Sequence, residues 1–299
     1  MPEPPAPARI RPASATLVGM GLWVAATMCE TVMIGCVRIV SQDLHSLQVL
    51  FLRMFCGLLV LAPWFIRLGA SGLRTTVFPL HALRSGLQIM AMTMWFASVP
   101  LVILADIAAL SFLAPLFATA GAMLLLGERV GWRRGLALAV GFGGVLVIVR
   151  PGDSFNIGWG LLVGAAACWA GALLVIKRMA RSETPASMTA WVTSLITPVL
   201  AIPAAFVWRD PSWAQWGLMM VAGCAGTFTH LLMAQAFRHA EASAVLPMDF
   251  SRMIWITLLG YMLFSETPTW HVWVGGALIF AAATYVTLRE ARLARSTKT

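Results

Sequence analysis

Charged residues are scarce in this chain: Asp, Glu, Lys and Arg make up 11% of its 299 residues, against about a quarter in soluble globular domains. Apolar residues reach 60%, and the mean hydropathy is +0.83. So little charge excludes an ordinary soluble fold. The apolar runs also lack the alternation of barrel strands, and a chain in lipid must then satisfy its backbone hydrogen bonds within helices.

Cysteine and catalytic motifs are scarce as well. Five cysteines fall inside apolar runs without forming a close pair, which argues against disulfides and against a structural zinc site. The chain has no HExxH, no Gly-rich phosphate loop with its Lys and no ligand cluster at metal spacing. We therefore expect no enzyme activity, no cofactor and no metal. The alternative to a carrier is a membrane enzyme or scaffold that transports nothing and has a static polar core.

Apolar residues form ten runs of about 20 residues, the length that a membrane-spanning helix needs. We predict an all-α polytopic membrane protein with spans at residues 16–37, 46–66, 80–98, 102–126, 133–149, 157–176, 187–208, 213–236, 242–264 and 270–288. The Pro/Ala-rich residues 1–15 are predicted to be a disordered cytoplasmic tail, and residues 289–299 a basic cytoplasmic tail. No small-residue cleavage site follows the first run, so we predict that this helix is retained.

The net charge of +9 is unevenly distributed along the chain. Of the 21 Lys and Arg, three lie inside predicted spans, three border one set of loops, and fifteen occupy the termini and the alternate loops. This asymmetry predicts that both termini lie in the cytoplasm. We expect the protein itself to lie in a bacterial inner membrane. We interpret the excess charge as an orientation signal that contacts the anionic lipid bilayer, and not as a nucleic-acid surface.

A hinged pair of apolar helices between Ala105 and Val149 has a second copy later in the chain. The first copy is interrupted by Gly127-Glu128-Arg129, and 138 residues later Ser265-Glu266-Thr267 interrupts the second. Five spans per copy is an odd number, so the copies must enter the membrane from opposite sides. We predict an inverted five-plus-five repeat, with residues 16–150 as the first half and 151–288 as the second.

Four residues of the hinged pairs receive structural roles. Pro115 and Pro247 each remove a helix hydrogen bond and are candidate hinges, with a static kink as the alternative. Glu128 and Glu266 lie at helix ends, where capping or bonding the following helix is expected instead of chemistry.

The chain resembles the EamA-type drug/metabolite transporter superfamily over residues 17–288. The resemblance lies in the two five-helix halves and in Arg53, Arg84, Pro115, Glu128 and Glu266. Three segments resemble the branch that includes S-adenosylmethionine-uptake-type carriers, namely residues 44–53, 92–95 and 244–261. Met248-Asp249-Phe250 departs from the aromatic-rich pattern usual at that position. The resemblance implies a carrier for small molecules.

Ionisable groups inside spans are costly and therefore mark candidate functional sites. They are Glu30, Arg53, Arg84, Asp106, Asp249 and Arg252. Asp249 and Arg252 share a helix face, and we expect them to pair with each other or with Glu30. Arg252 either binds a substrate carboxylate or phosphate or is neutralised by Asp249. Glu30, desolvated in the first span, is the candidate proton-coupling site.

Four tryptophans also fall inside spans: Trp95, Trp169, Trp191 and Trp255. Aromatic walls suit planar or cationic substrates, whereas core packing is the simpler explanation for each ring. We predict that a small organic metabolite, polar or zwitterionic with a flat or apolar part, binds near the midplane between the halves. Its predicted lining is Glu30, Arg53, Trp95, Trp169, Asp249 and Arg252. Protons or a counter-substrate are candidate coupling partners, and monomer and homodimer both stay open.

Overall fold

The computed structural model of the chain describes residues 13–68, 75, 77–126, 132–149, 156–179, 183, 185–240, 248–249 and 251–296. The regular secondary structure in this part of the chain is helical. The helices are α1 (Ala13–Val40), α2 (Ser46–Leu68), α3 (Phe78–Ser98), α4 (Leu104–Ser111), α5 (Leu113–Leu126), α6 (Trp132–Val149), α7 (Ile157–Met179), α8 (Pro185–Phe206), α9 (Trp213–His239), α10 (Ser251–Phe264) and α11 (Trp270–Ser296). The prediction of an all-α fold is confirmed.

Long apolar helices are the main elements. Within the described residues, three helical stretches are long and apolar enough to cross a membrane: Ala15–Val40, Ile157–Ile176 and Trp213–Met233. Shorter apolar helical stretches cover parts of five further predicted spans. Large apolar side chains such as Phe206 and Leu146 are exposed on the helix surfaces. Such surfaces agree with the prediction that these helices face lipid.

The predicted span at residues 102–126 is interrupted. Helix α4 ends at Ser111, Phe112 forms a turn, and α5 begins at Leu113. Pro115 is the third residue of α5, and because it has no N–H, the carbonyl of Ser111 loses its helical partner. The interruption therefore lies three residues before the proline that we predicted as a hinge. Pro247 lies outside the described residues, and α10 begins four residues after it.

The helices pack mainly across the two predicted halves. Helix α1 lies along α9, α3 lies along α7, and α6 lies along α11. Glycines allow the closest approach: a Cβ on Gly144 of α6 would lie 2.7 Å from the carbonyl oxygen of Gly275 of α11. Similarly, a Cβ on Gly223 of α9 would lie 2.7 Å from the backbone nitrogen of Gly57 in α2. Such backbone contacts are the usual basis of helix association in lipid. A central space remains between α1, α3, α7 and α9.

Candidate substrate cavity

A cavity of about 380 Å³ occupies that central space, within the range of roughly 300–1,000 Å³ typical of small-molecule sites. Helices of both predicted halves contribute to its wall. All six predicted binding residues line it: Glu30, Arg53, Trp95, Trp169, Asp249 and Arg252. Most of the remaining wall is apolar, including Met33, Met92, Phe96, Phe112, Leu162 and Met233.

Arg252 gathers both acidic residues of the cavity. Its Nη1 donates to Oε1 of Glu30 at 3.2 Å, and its Nη2 donates to Oδ2 of Asp249. The guanidinium also lies over the Phe112 ring, 5.2 Å from the ring centroid. The Nε1 of Trp23 donates to the other oxygen of Asp249 at 3.1 Å. One arginine thus holds carboxylates from α1 and from the segment before α10, which joins the two halves by charge.

Arg53 of α2 has a different environment. Its Nη1 donates to the Sδ of Met54 at 2.9 Å, and a thioether is only a weak acceptor. Its Nε is buried without a hydrogen-bond partner, and within the described residues no carboxylate forms an ion pair with its guanidinium. Helix α9 comes close at Gly226, where a Cβ would lie 2.5 Å from Nη2 of Arg53.

The four tryptophans that the sequence places inside predicted spans separate into two groups. Trp95 and Trp169 line the cavity, and the Trp95 ring lies 5.2 Å from that of Phe96. Trp191 instead packs between α3 and α8, with ring centroids 5.4 Å from Phe78 and 5.6 Å from His81. Trp255 lies on a shallow pocket elsewhere on the surface of the bundle. Position within a span could not separate these groups, because all four rings satisfy the same hydropathy pattern.

Several lining residues were not predicted from the sequence: Ser111, Phe112, Gly226, Thr229 and His230. Ser111 and Phe112 line the cavity at the point where the helix is interrupted. The proline three to four residues later was the available signal for them. Nothing in the local sequence of His230 distinguishes a residue that lines a cavity from one that packs in the core.

Comparison with known proteins gives consistent matches over most of the chain. The EamA-like transporter family matches residues 17–150 and again residues 156–288. The chain belongs to the EamA-like transporter family. A riboflavin transporter of Vibrio cholerae serotype O1 is 32% identical over 261 residues, which cover 86% of this chain and 87% of the relative. An S-adenosylmethionine uptake transporter of Rickettsia bellii is 26% identical over 275 residues, covering 91% and 94%.

A solved crystal structure shares the fold. It matches this EamA-like chain with a TM-score of 0.61 at 19% sequence identity, over 94% of this chain and 98% of the other. At that identity the likeness concerns the fold alone. The resemblance to EamA-type transporters, and to the branch with S-adenosylmethionine uptake carriers, is confirmed by the family match and the named relatives.

A polar cluster, the Arg38 cluster, joins the two halves of the EamA-like chain beyond one end of the cavity. Arg38 lies five residues past the cavity residue Met33, or about 8 Å along α1. Its Nη2 donates to Oε1 of Glu266 at 2.9 Å, and its Nη1 donates to the carbonyls of Val99 and Val102. Oε2 of Glu266 accepts from the N–H of Leu104 at 2.7 Å. Glu266 therefore caps α4, a helix of the other half, and not the helix that follows it.

The remaining ionisable residues predicted inside spans lie away from the cavity. Asp106 is buried in α4, and its Oδ2 accepts from Nε1 of Trp159 at 2.7 Å. Nη1 of Arg84 donates to the carbonyl of Met188 at 2.9 Å and so links α3 to α8. Glu128 lies outside the described residues. Among the described residues, no three potential metal ligands lie together.

Proposed function

We propose that this chain is a secondary transporter that moves a small metabolite with a planar ring system across the bacterial inner membrane. The observation that carries the proposal is the central cavity, in which carboxylates and arginines of both halves meet beside Trp95 and Trp169. A carrier that alternates its access needs a polar site between two movable halves. The family's name and the named relatives, all transporters, support a carrier over an enzyme or a static scaffold.

The proposed topology is ten spans in an inverted five-plus-five repeat with both termini in the cytoplasm. It rests on the charge asymmetry of the loops and on the two family matches of similar length. In this orientation the Arg38 cluster closes the outer end of the cavity. The interruption at Phe112 is the proposed bending point on the first half, and Pro247 keeps its predicted role as the hinge of the second.

A flavin is the proposed substrate class. The relative at 32% identity is named for riboflavin, whose fused, neutral ring system is suited to the space beside Trp95 and Trp169, since aromatic rings gain about 0.5–1.5 kcal/mol from stacking beyond their area burial. S-adenosylmethionine is the second candidate, because relatives with that name match at 26% identity over nearly the whole chain. Its adenine ring could use the same aromatic residues.

Uptake by the purified protein in sealed liposomes tests this function. Riboflavin is fluorescent, so its accumulation inside washed vesicles can be measured directly against protein-free vesicles. We expect saturable accumulation, and we expect Trp169→Ala to weaken it by about threefold to tenfold through lost stacking. Trp213→Ala is the matched control, because Trp213 is 92% exposed on α9 and lies outside the cavity. Accumulation of neither riboflavin nor S-adenosylmethionine above the protein-free level would contradict the proposal.

Proton coupling through Glu30 is a further expectation. If the Glu30 carboxyl carries the coupled proton, a proton gradient across the vesicle membrane should stimulate uptake by the wild type and not by Glu30→Gln. The amide keeps the size of the side chain but does not ionise, so it cannot release and rebind the coupled proton. Asp43→Asn serves as control, because Asp43 is exposed and contacts Gln215 instead of the cavity. Full gradient stimulation in Glu30→Gln would exclude Glu30 as the coupling site and favour exchange with a counter-substrate.

A further inference from the structure

The charged groups of the cavity are equal in number but unequal in pairing. Two arginines and two carboxylates line it, together with His230, which is uncharged in its unprotonated form. Both carboxylates bind the guanidinium of Arg252, and the second oxygen of Asp249 is occupied by Trp23. Among the described lining residues, one cation therefore has no ion-pair partner, whereas each carboxylate has one.

Among the described residues, the cation without an ion pair is Arg53, although the charge of Glu30 acts on it from farther away. Met54 supplies only a sulfur acceptor, and the buried Nε has no partner among the described residues. Buried polar groups in native proteins nearly always have partners. The Nε of Arg252 has none either, but its two Nη atoms bind carboxylates, whereas Arg53 has only the thioether of Met54. A substrate that brings its own acceptors would supply the missing partners.

The position of this guanidinium is set by its neighbours. Gly226 faces Nη2 so closely that a Cβ there would lie 2.5 Å from that nitrogen and 3.1 Å from the sulfur of Met33. No side chain larger than hydrogen fits at residue 226 without moving Arg53. The glycine thus leaves room for the guanidinium at this part of the cavity wall.

We infer that Arg53, held against Gly226, is the residue that selects the substrate, by binding a pair of hydrogen-bond acceptors on a neutral or anionic molecule and disfavouring a net cation. This inference rests on the proposed function and narrows its substrate class. The planar fork of an arginine matches two neighbouring acceptors, such as the C4 carbonyl oxygen and N5 of a flavin ring or the two oxygens of a carboxylate. S-adenosylmethionine carries a carboxylate of its own, but its net positive charge would meet the like charge of Arg53, and both carboxylates of the cavity are already paired with Arg252.

Binding to the detergent-solubilised full chain tests the inference independently of transport. Riboflavin is the fluorescent probe, and its quenching on titration with protein gives the Kd. Riboflavin 5′-phosphate supplies an anionic flavin, and S-adenosylmethionine supplies a cationic competitor. We expect both flavins to bind, and we expect S-adenosylmethionine to compete at least about tenfold more weakly than unlabelled riboflavin.

Four variants then locate the effect at Arg53. Arg53→Gln should weaken riboflavin binding by about tenfold to hundredfold, the usual range for a hydrogen bond to a charged group, and should narrow the preference over S-adenosylmethionine. Arg53→Lys keeps the charge without the fork and should recover only part of the affinity. Gly226→Ala should resemble Arg53→Lys because it displaces the guanidinium. Gly217→Ala on the same helix should match the wild type, because nothing lies within 4 Å of a Cβ there.

The outcomes separate this inference from the proposed function. Equal riboflavin affinity in the wild type and in a folded Arg53→Gln, verified by its melting temperature, would overturn the role of Arg53. Stronger competition by S-adenosylmethionine than by riboflavin would overturn it as well. Arg53-dependent binding without accumulation in vesicles would support the inference and count against transport. Accumulation that is indifferent to both Arg53 and Gly226 would support transport and refute the inference.

Discussion

Replacing Arg252 with alanine should abolish transport and lower the stability of the protein. The change leaves Glu30 and Asp249 facing one another without their shared cation. Removing one partner of a fully buried ion pair typically costs about 3–5 kcal/mol, because the other charge stays buried and uncompensated. These three side chains are only partly buried, so we expect a smaller loss of stability. We expect uptake to fall to the protein-free level, and we expect a lower melting temperature in detergent.

The control for this experiment is Arg84→Ala. Arg84 also lies within a predicted span, but its hydrogen bond goes to the carbonyl of Met188 and not to the cavity. Its loss should leave substrate affinity near that of the wild type. A triple variant, Arg252→Ala with Glu30→Gln and Asp249→Asn, should recover much of the stability without recovering transport. Normal uptake by Arg252→Ala would show that the three-residue pairing is dispensable.

Replacing Glu266 with alanine should open the end of the cavity at which the Arg38 cluster lies. The carboxylate accepts from Arg38 at 2.9 Å and from the N–H of Leu104 at 2.7 Å, and alanine removes both acceptors. Hydrogen bonds to charged groups contribute about 1.5–3 kcal/mol each, so the balance between closed and open forms should shift by about tenfold or more. A cysteine placed at Ser111, in the cavity wall, should then react faster with a membrane-impermeant thiol reagent added outside.

The labelling requires a background in which the five native cysteines are replaced. Asp210→Ala is the matched control, because Asp210 is an exposed acid of the α8–α9 connection and its hydrogen bond goes to Trp208. It should not change the labelling rate. Unaltered labelling in Glu266→Ala would show that the Arg38 cluster does not control access, and labelling only from the cytoplasmic side would reverse the proposed orientation.

Much of the fold was predictable because its determinants are local. A helix in lipid needs about 20 apolar residues, and this length can be counted along the chain. An ionised side chain inside such a run is costly wherever it lies, so Glu30, Arg53, Asp249 and Arg252 could be selected without knowledge of their neighbours. The same reasoning selected Asp106 and Arg84, which the structure places outside the cavity.

By itself, the sequence therefore determined the helical fold, the two EamA-like repeats and a short group of candidate residues. The sequence predicted that Asp249 and Arg252 pair with each other or with Glu30. Only the tertiary structure decided that Arg252 binds both carboxylates, whereas Arg53 forms an ion pair with no carboxylate among the described residues. It likewise decided that Glu266 caps α4, 162 residues away. The physical reason is that hydropathy is a property of each residue, whereas pairing depends on which helices cross at their glycines and how closely they approach.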